Sequence, residues 1–254
     1  MIAFRNVSKT LGGKKVLNGI DFEIARGETF VIVGASGAGK SVSLKHMIRL
    51  MTPDEGQVVV GDNVISEAEG RDLERARGRF GMLFQSSALM QWMDVGANVA
   101  LPLREHTKKS PEEIEQLVDE KLEMVGLTGA KDKMPSDISG GMRKRVGLAR
   151  AIITEPEIVL YDEPTSGLDP VTARKIDRLI NSLREKLGVT SVVVTHDLHS
   201  ALAIASRIAI ISDGKMVEIA TPKDFVNSRN EVVRDFLEAQ YITKRGSWEG
   251  DVES

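Results

Sequence analysis

The sequence predicts an α/β fold with a mainly parallel sheet, and three observations support this prediction. Helical stretches alternate with continuous apolar strands, which read TFVIVGA, EIVLYDE, TSVVVTH and RIAIIS. Strands of this kind are typical of a parallel sheet that helices cover on both faces. The chain has 254 residues, 41% of them hydrophobic, so it can bury a substantial core.

The N-terminal part of the chain does not follow this alternation. It predicts two short strands, IAFRNVS and KKVLNGIDFEI, separated by the turn-rich stretch LGGKK. We therefore expect an N-terminal antiparallel β subdomain. The next strand leads through a glycine loop into a predicted helix from about Ser41 to Met51, where Thr52 and Pro53 end it. Two more strand-like stretches follow, QVVVGD and RFGMLFQ.

The middle third of the chain is predicted to be a helical insertion. The stretch PEEIEQLVDEKLEMVGL has helical spacing, with Ser110 as the N-cap and Pro111 as the first helical residue. We place this helical subdomain at about residues 86–153, inside one domain of residues 1–240. After it, PVTARKIDRLINSLREKLG predicts a helix that ends at Gly188, and residues 241–254 form a C-terminal tail.

Composition narrows the class of protein. The formal net charge is −3, which argues against a strongly basic nucleic-acid-binding protein, and we predict no nucleic-acid partner. The absence of cysteine excludes disulfides, thiolate nucleophiles and cysteine metal sites, and it is consistent with the cytoplasm. No apolar run has membrane-spanning length and no signal peptide is evident, so we expect a protein that is soluble by itself and can dock on a membrane protein.

A glycine-rich stretch points to phosphate binding. Residues 34–41, GASGAGKS, match the pattern G-x-x-x-x-G-K-[ST] between a predicted strand and a predicted helix. Glycines in such a loop let backbone N–H groups turn inward around phosphate oxygens, while Lys40 reaches the β- and γ-phosphates and the Ser41 hydroxyl ligates Mg²⁺. The alternative is a glycine turn that only caps a helix. The predicted nucleotide-binding residues of this stretch are Gly34, Ala35, Ser36, Gly37, Ala38, Gly39, Lys40, Ser41 and Val42.

A second motif, IVLYDEPTSGLDP, places two carboxylates at the end of an apolar strand, where ligands bind in open α/β sheets. We predict that Asp162 holds Mg²⁺ and that Glu163 is the general base for an attacking water. The alternative is a helix cap or a solvated turn. His196 follows the next strand, and its imidazole can donate a hydrogen bond to a phosphate oxygen and help to position the water. Together with the glycine loop, these residues predict a P-loop NTPase.

The sequence resembles the ATP-binding subunits of ABC transporters over residues 2–227. The motifs occur in the family's order: GASGAGKS, Gln85 at the end of FGMLFQ, ISGGM at 138–142, YDE at 161–163, SGLD at 166–169, and His196. The resemblance implies a RecA-like core and a homodimer that encloses two ATP molecules, with Ser139, Gly140 and Gly141 contacting the γ-phosphate held by the other chain. It also implies that Gln85 senses Mg²⁺ and the attacking water, and that Asp169 organises the opposite site. Taken alone, these two residues would be interpreted as a polar strand end and a turn aspartate.

Two positions depart from the family pattern. Leu11 stands where many relatives have an aromatic ring that stacks on adenine. Base stacking on an aromatic ring contributes about 1 to 3 kcal/mol, so we expect modest nucleotide affinity and weak base selectivity. Met142 replaces the glutamine of the commonest signature, which should leave the backbone contacts of that segment intact. On helical spacing, the three cations that follow, Arg143, Lys144 and Arg145, are expected nearer the polar side of their helix.

The segment after Gln85, FQSSALMQWMDVGANVALPLREHT, and the signature SGGMRKRVGLARA look like those of ATPase subunits of MCE-type lipid transporters, including the maintenance-of-lipid-asymmetry phospholipid system. This resemblance implies a motor for lipid transport between bacterial membranes, bound to separate permease subunits at the cytoplasmic face of the inner membrane. An MCE-domain protein and a small accessory subunit are further expected partners. An apolar cluster suits a groove for a partner's helix, with local core packing as the alternative. It comprises Leu89, Met90, Trp92, Met93 and Val95.

Other functions stay open on the sequence alone. An ABC importer of amino acids or another small solute would share the phosphate-binding residues, and a non-transport ABC ATPase is a more remote alternative. The C-terminal tail carries Tyr241 and Trp248, which we interpret as anchors on a second copy or on an accessory protein. The alternative for this tail is disorder.

Overall fold

The computed structural model describes residues 1–240 and residue 242. Within that part of the chain the strands are β1 (Ile2–Leu11), β2 (Lys14–Ile24), β3 (Thr29–Val33), β4 (Glu55–Val60), β5 (Asn63–Val64), β6 (Phe80–Leu83), β7 (Ile158–Asp162), β8 (Thr190–Val194), β9 (Arg207–Ser212) and β10 (Lys215–Ala220). The α-helices are α1 (Lys40–Met47), α2 (Gly70–Arg77), α3 (Val95–His106), α4 (Pro111–Met124), α5 (Gly140–Ile152), α6 (Pro170–Leu187), α7 (Leu198–Ile204), α8 (Pro222–Val226) and α9 (Glu231–Glu238). The described residues form two compact units: Met1–Glu67 together with the described residues from Val194 onward, and Ala68–Val193.

The first unit contains an antiparallel sheet in the order β2-β1-β4-β5. Ile2 of β1 pairs with Ile24 on one side and with Val60 on the other. The apolar face of this sheet is aromatic at its centre, because the rings of Phe4 and Phe22 stack with their centroids 4.4 Å apart. Phe22 also stacks on Phe30 of β3 at 5.4 Å, so the core of the antiparallel sheet continues to the strand that leads into the glycine loop.

The first unit also contains parallel pairing. β3, which is buried along its whole length, pairs in parallel with β9, and β10 then pairs antiparallel with β9. The helix α9 also belongs to this unit and buries Val233 and Leu237. β3 is continuous with the glycine loop, so this rigid strand fixes the start of that loop.

The second unit combines parallel strands with a group of helices. β7 lies between β6 and β8 in the sheet order, and β6 and β7 are parallel. The helices α3, α4 and α5 pack against one another, and α5 also packs on β6. A Cβ atom at Gly81 of β6 would collide with the carbonyl oxygen of Ala151, which shows how closely α5 approaches the strand. Glycine is therefore required at position 81 for packing.

The predicted α/β class is confirmed, with parallel strand pairs in both units and an antiparallel N-terminal sheet. The predicted start of α4 is confirmed in detail: the Ser110 hydroxyl accepts from the Glu113 N–H, and the Glu113 carboxylate accepts from the Ser110 N–H. The helix predicted to end at Gly188 also ends there, with Gly188 in the left-handed region at φ 65°.

Three predictions of secondary structure were wrong or incomplete. The predicted helix to about Met51 is too long, because α1 ends at Met47 and Arg49 adopts a positive φ of 54°. The strand β10 and the short helix α2 were not predicted. The residues of β10 are only half-buried or exposed, and those of α2 are mostly charged, so neither has a strong apolar pattern. In the described part of the chain, no helix is both long enough and apolar enough to span a membrane.

Candidate functional site

The glycine loop of residues 34–41, here called the phosphate loop, joins β3 to α1 in the first unit. Gly34, Gly37 and Gly39 have positive φ angles of 150°, 78° and 105°. A Cβ atom at Gly34 would collide with the carbonyl oxygen of Ile211, and one at Gly39 would lie 2.7 Å from a methyl group of Leu17. Neighbouring atoms therefore require glycine at two of these positions, whatever ligand the loop binds.

The phosphate loop exposes its middle and buries its two ends. Residues 35–37 are exposed, whereas Gly34, Gly39 and Lys40 are buried; Ser41 and Val42 are half-buried in the first turn of α1. Gly39 occupies the N-cap position of α1 and has no side chain to accept hydrogen bonds from the helix. The helix N-terminus therefore presents backbone N–H groups to the loop, which is the arrangement that binds anions.

Lys40 fills the centre of the phosphate loop. The residue is only 7% exposed, and its ammonium group donates to the carbonyl oxygens of Gly34 at 2.9 Å and Ala35 at 3.1 Å. The cation is thus held inside the loop by the loop's own backbone. A bound phosphate would meet a positive charge that is already in place.

His196 lies in the same unit, directly after β8. The residue is exposed, while the preceding Thr195 is buried and donates its N–H to the carbonyl oxygen of Ile32 at 3.1 Å. Ile32 belongs to β3, so the loop that carries His196 is attached to the strand that leads into the phosphate loop. Asp197 follows and caps α7 by accepting from the N–H groups of His199 and Ser200.

Leu11, the residue predicted to face the base, ends β1. It is 38% exposed, and in the β1–β2 pairing it lies opposite Lys14. An exposed aliphatic side chain offers apolar contact without ring stacking. The expected weak base selectivity stays a prediction.

Asp162 and Glu163 lie in the second unit, at the carboxyl end of β7 as predicted. Asp162 is the last residue of the strand, and Glu163 is buried with a positive φ of 48°. A residue other than glycine in this region carries about 1 to 3 kcal/mol of backbone strain. Strain of this kind persists only where the surrounding structure holds the backbone, and such positions cluster at functional sites.

The side chain that holds the Glu163 backbone is Lys144 of α5. Its ammonium group donates to the carbonyl oxygen of Glu163 at 3.0 Å and to that of Gln85 at 2.6 Å. One side chain therefore connects the predicted general base with the predicted sensing glutamine. Burial lowers the pKa of Lys144 below its ordinary value, and the nearby carboxylates of Asp162 and Glu163 oppose that shift.

The expected position of Lys144 on the polar side of its helix was wrong. Lys144 is only 5% exposed, whereas Arg143 and Arg145 are half-buried. The expectation assumed a single inward stripe, but α5 is buried around most of its circumference. A buried ammonium group needs hydrogen-bond acceptors, and the two carbonyl oxygens supply them.

The loop that follows Gln85, residues 85–94, is here called the Gln85 loop. Besides Lys144, it is held by Arg150 of α5, whose guanidinium donates to the carbonyl oxygens of Ser87 at 2.6 Å and Ala88 at 2.7 Å. Ser87 and Ala88 both have positive φ angles, 62° and 45°. Arg150 therefore stabilises a backbone conformation that these residues seldom adopt.

Asn98 closes the other end of the Gln85 loop. This residue is 0% exposed, and its amide nitrogen donates to the carbonyl oxygens of Met90, Met93 and Asp94 at 2.9 to 3.0 Å. Its amide oxygen accepts from the Met90 N–H at 2.8 Å. Lys144, Arg150 and Asn98 thus hold the Gln85 loop along its length.

The predicted apolar cluster lies in this loop and at the first residue of α3, and it divides into two parts. Leu89 and Val95 are buried, which is the core packing given as the alternative. Met90 and Met93 are half-buried, and Trp92 is 74% exposed. The loop therefore has apolar anchors inside and an indole ring outside.

The signature segment, residues 138–142, starts α5. Ser139 is the N-cap, and its hydroxyl accepts from the Met142 N–H at 3.2 Å. A Cβ atom at Gly140 would make ordinary contact, 3.6 Å from a methyl group of Leu168, whereas one at Gly141 would lie 2.6 Å from the Cγ2 atom of Thr172. The two glycines thus have different surroundings, and only Gly141 is required by internal packing.

Asp169 is the N-cap of α6. Its carboxylate accepts from the Thr172 N–H at 3.0 Å, and hydrogen bonds from Thr172 lower the pKa of Asp169 below its ordinary value. The structural role given as the alternative for this residue is therefore present. It is compatible with a further role at the surface.

The comparisons with known proteins identify the family. A protein-family model described as ABC transporter matches residues 17–166, a range that includes the phosphate loop, the signature segment and both strand-end carboxylates. The chain belongs to the ABC transporter family. It is an ATP-binding cassette ATPase with the α/β fold of that family, as the order of its motifs predicts.

Relatives and solved structures agree with this assignment. The chain is 39% identical over 253 residues to the probable ribonucleotide transport ATP-binding protein mkl of Mycobacterium leprae, which covers 100% of this chain and 73% of the relative. It is 40% identical over 239 residues to the intermembrane phospholipid transport system ATP-binding protein MlaF of Escherichia coli, covering 94% of this chain and 88% of the relative. A dimeric structure of the ATP-binding cassette MJ0796 with ADP and Pi matches with a TM-score of 0.80 at 33% identity, covering 87% of this chain and 99% of that chain.

The ABC motifs predict the residues of the candidate site but not the residues that hold its loops in place. Lys144, Arg150 and Asn98 were not predicted to contact the Gln85 loop. Each of them bonds to backbone carbonyl groups, and such contacts leave no residue pattern at the carbonyl positions. A charged or amide side chain within an otherwise buried helix is the signal that could have indicated Lys144 and Asn98.

Proposed function

We propose that this chain is the ATP-hydrolysing motor subunit of a membrane transporter that moves phospholipid between bacterial membranes. The observation that carries this proposal is the 40% identity with the Escherichia coli protein that is named for intermembrane phospholipid transport, over 94% of this chain. That alignment is nearly complete, so it includes the Gln85 loop as well as the phosphate-binding residues that all ABC proteins share. The sequence of the Gln85 loop and the methionine of the signature support the same branch.

The phosphate loop fits the phosphates of ATP. The exposed residues 35–37, the buried glycines beside them and the N-terminus of α1 form a cradle that a Cβ atom at Gly34 or Gly39 would distort. In our proposal the backbone N–H groups of residues 34–39 and of Ser41 and Val42 bind phosphate oxygens. Lys40 then moves its hydrogen bonds from the loop carbonyls to the β- and γ-phosphates.

The predicted magnesium ligands have suitable chemistry. The Ser41 hydroxyl, the Gln85 amide oxygen and the Asp162 carboxylate are all oxygen donors, which Mg²⁺ prefers. We propose these three residues as its protein ligands, directly or through water. When bound, the ion neutralises charge on the phosphate oxygens.

Glu163 is proposed as the general base. Its carboxylate takes a proton from water as the water oxygen attacks the γ-phosphorus, and the bond from that phosphorus to ADP breaks, which yields ADP and phosphate. Lys144 holds the Glu163 backbone at the observed left-handed angle and thereby fixes the direction of the carboxylate. His196 donates a hydrogen bond to the γ-phosphate and keeps it oriented toward the water.

We propose that two copies of the chain enclose two ATP molecules. In this dimer Ser139, Gly140 and Gly141 of one copy contact the γ-phosphate bound by the other copy. A Cβ atom at Gly140 would meet no side chain closer than 3.6 Å, which leaves room for a ligand to approach its backbone. Asp169 organises the opposite site through the start of α6, and Leu11 contacts the base.

The proposed partners follow from the Gln85 loop. Its exposed Trp92, presented by a loop that Asn98 holds in place, suits the binding of a permease helix. A permease would attach the chain to the cytoplasmic face of the inner membrane. An MCE-domain protein and a small accessory subunit complete the proposed transporter. Tyr241 and Trp248, the proposed anchors of the tail, lie outside the described residues.

The deciding experiment is purification of the chain from membranes together with its partners. Mass spectrometry should find a permease, an MCE-domain protein and phospholipid, and ATP should drive transfer of that phospholipid between vesicles. The Glu163→Gln complex is the matched control, because it should bind ATP, stay closed and transfer no lipid. A small-solute binding protein in place of the MCE protein would support the amino-acid or small-solute importer instead.

A second candidate function is ribonucleotide transport. It is favoured by the name of the Mycobacterium leprae relative, a probable ribonucleotide transport ATP-binding protein that is 39% identical over 100% of this chain. Uptake of labelled ribonucleosides and ribonucleotides in a deletion strain tests it. Uptake that the wild-type gene restores and the Lys40→Ala gene does not restore would favour this candidate over lipid transport.

A further inference from the structure

Gln240, which follows α9, contacts the loop that carries His196. Its amide nitrogen donates to the carbonyl oxygen of His196 at 2.7 Å, and its amide oxygen accepts from the Leu198 N–H at 2.8 Å. One side-chain amide thus binds the backbone on both sides of Asp197. Gln240 lies well past residues 17–166, where the family model matches.

The hydrogen bond from Leu198 completes the cap of α7. The first N–H groups of a helix have no partner within the helix. Asp197 accepts from His199 and Ser200, the second and third residues of α7, and Gln240 accepts from Leu198, the first residue. The same glutamine also holds the carbonyl group of His196. The orientation of the His196 backbone is therefore set by a residue outside the loop that carries it.

Gln240 is itself held firmly by α9. This helix buries Val233 and Leu237, and the N–H groups that follow its C-terminal end share one carbonyl oxygen as acceptor. The N–H groups of Gln240 and Ile242 both donate to the carbonyl oxygen of Leu237, at 3.1 and 3.0 Å, and Ile242 is buried. The position of the Gln240 amide therefore depends on the packing of α9.

We infer that Gln240 is a positioning residue for ATP hydrolysis: it holds the backbone of His196 so that the imidazole faces the γ-phosphate, and it makes hydrolysis sensitive to the packing of α9. This inference rests on the proposed role of His196 but not on the proposed substrate. Any partner or change that displaces α9 would then lower the rate of hydrolysis without changing the phosphate loop.

The test compares Gln240→Ala and Gln240→Glu with Asp235→Ala, an exposed change on the same helix. In the full-length chain, purified with its membrane partners, Gln240→Ala should lower kcat about tenfold, since small misplacement of a positioned group is costly. The KM for ATP should change by less than about twofold, because the phosphate loop is untouched. Gln240→Glu keeps the acceptor for Leu198 but replaces the donor to His196, so it should lose at least as much activity; Asp235→Ala should resemble the wild type.

Two further measurements separate positioning from a general structural effect. In a His196→Ala background, Gln240→Ala should cause no additional loss of kcat, because both changes remove one function. Hydrogen exchange of the Leu198 amide should accelerate in Gln240→Ala and not in Asp235→Ala. Additive losses in the double variant, or faster exchange with an unchanged kcat, would overturn the inference.

The outcome also distinguishes this inference from the proposed transport function. An ATPase whose kcat depends on Gln240, but which purifies with no lipid and transfers none, contradicts the transport proposal alone. A lipid transporter whose kcat is unchanged by Gln240→Ala contradicts this inference alone.

Discussion

The phosphate loop and the Gln85 loop are both irregular segments that join a strand to a helix, yet they are held in different ways. The phosphate loop is held by its own residues: glycines in contact with close neighbours, and Lys40 bonded to the carbonyl groups of Gly34 and Ala35. The Gln85 loop is held by side chains from other elements, and two of these, Lys144 and Arg150, lie on α5.

This difference decides what a sequence can reveal. In the phosphate loop the residues that hold the backbone are also the ones proposed to bind the ligand, so their spacing is short and fixed. In the Gln85 loop, Lys144 lies 59 residues after the carbonyl group it binds. A loop held from a distance by backbone hydrogen bonds places few requirements on its own sequence, so its side chains can vary to suit a partner.

The largest expected effect breaks the phosphate loop at its cation. Lys40→Ala should weaken ATP binding by at least about 100-fold, because truncating one member of a desolvated charged pair typically costs about 2 to 5 kcal/mol. Isothermal titration calorimetry measures this loss. The Gln85 loop should be unaffected, so the hydrogen exchange of the Met90 amide serves as the internal control; ATP binding within threefold of wild type would contradict the role of Lys40.

The next largest effect breaks the Gln85 loop at Asn98. Asn98→Ala removes four hydrogen bonds and leaves partly buried carbonyl groups without this donor, so the free energy of unfolding should fall by about 3 kcal/mol. Urea denaturation provides the measurement. Asn98→Asp is the matched variant: it keeps the acceptor for Met90 but sets an acceptor oxygen against three carbonyl oxygens, so it should destabilise the protein at least as much. If the phosphate loop and the Gln85 loop are independent, the ATP affinity measured without urea stays unchanged in both variants.

A smaller and more specific effect is expected at Lys144. Lys144→Met keeps the volume but leaves the carbonyl groups of Gln85 and Glu163 without the ammonium, which should lower kcat by a factor that corresponds to about 1 to 2 kcal/mol. The KM for ATP should hardly change. Lys144→Gln, which can still donate, should recover part of the rate. A rise in KM as large as the fall in kcat would show that the phosphate loop and the Gln85 loop are not separate in function.

The signature segment is held by one of its own residues, Ser139, and it also packs against Thr172 of another helix. It gives the smallest expected effects. Gly141→Ala places a methyl group against Thr172 and should reduce stability by about 1 to 2 kcal/mol. Thr172→Ser removes the Cγ2 atom in question and should restore most of that loss in the double variant. Gly140→Ala should change stability by less than about 0.5 kcal/mol. Thermal unfolding of the four proteins measures these differences, and equal destabilisation by the two alanines would show that Gly141 is not special.

The sequence predicted those parts of the fold and site that are local. The capping box of Ser110 and Glu113, the end of α6 at Gly188 and the phosphate loop each involve residues close together in the chain. The buried position of Lys144 was not predictable from helical spacing, because contacts on several sides of α5 decide it. The link from Gln240 to His196 likewise spans 44 residues. The strand β10, in contrast, pairs with the neighbouring β9 across a short turn, so the sequence missed it because its residues have no strong apolar pattern.

The exposure of Trp92 gives the Gln85 loop an optical property. The sequence has two tryptophans, Trp92 and Trp248, so replacing Trp248 with phenylalanine leaves a single indole that is 74% exposed. The fluorescence of an indole in water shifts to shorter wavelength when an apolar surface covers it. The side chain that suits a permease helix would therefore report the arrival of that helix directly, with no label attached to the protein.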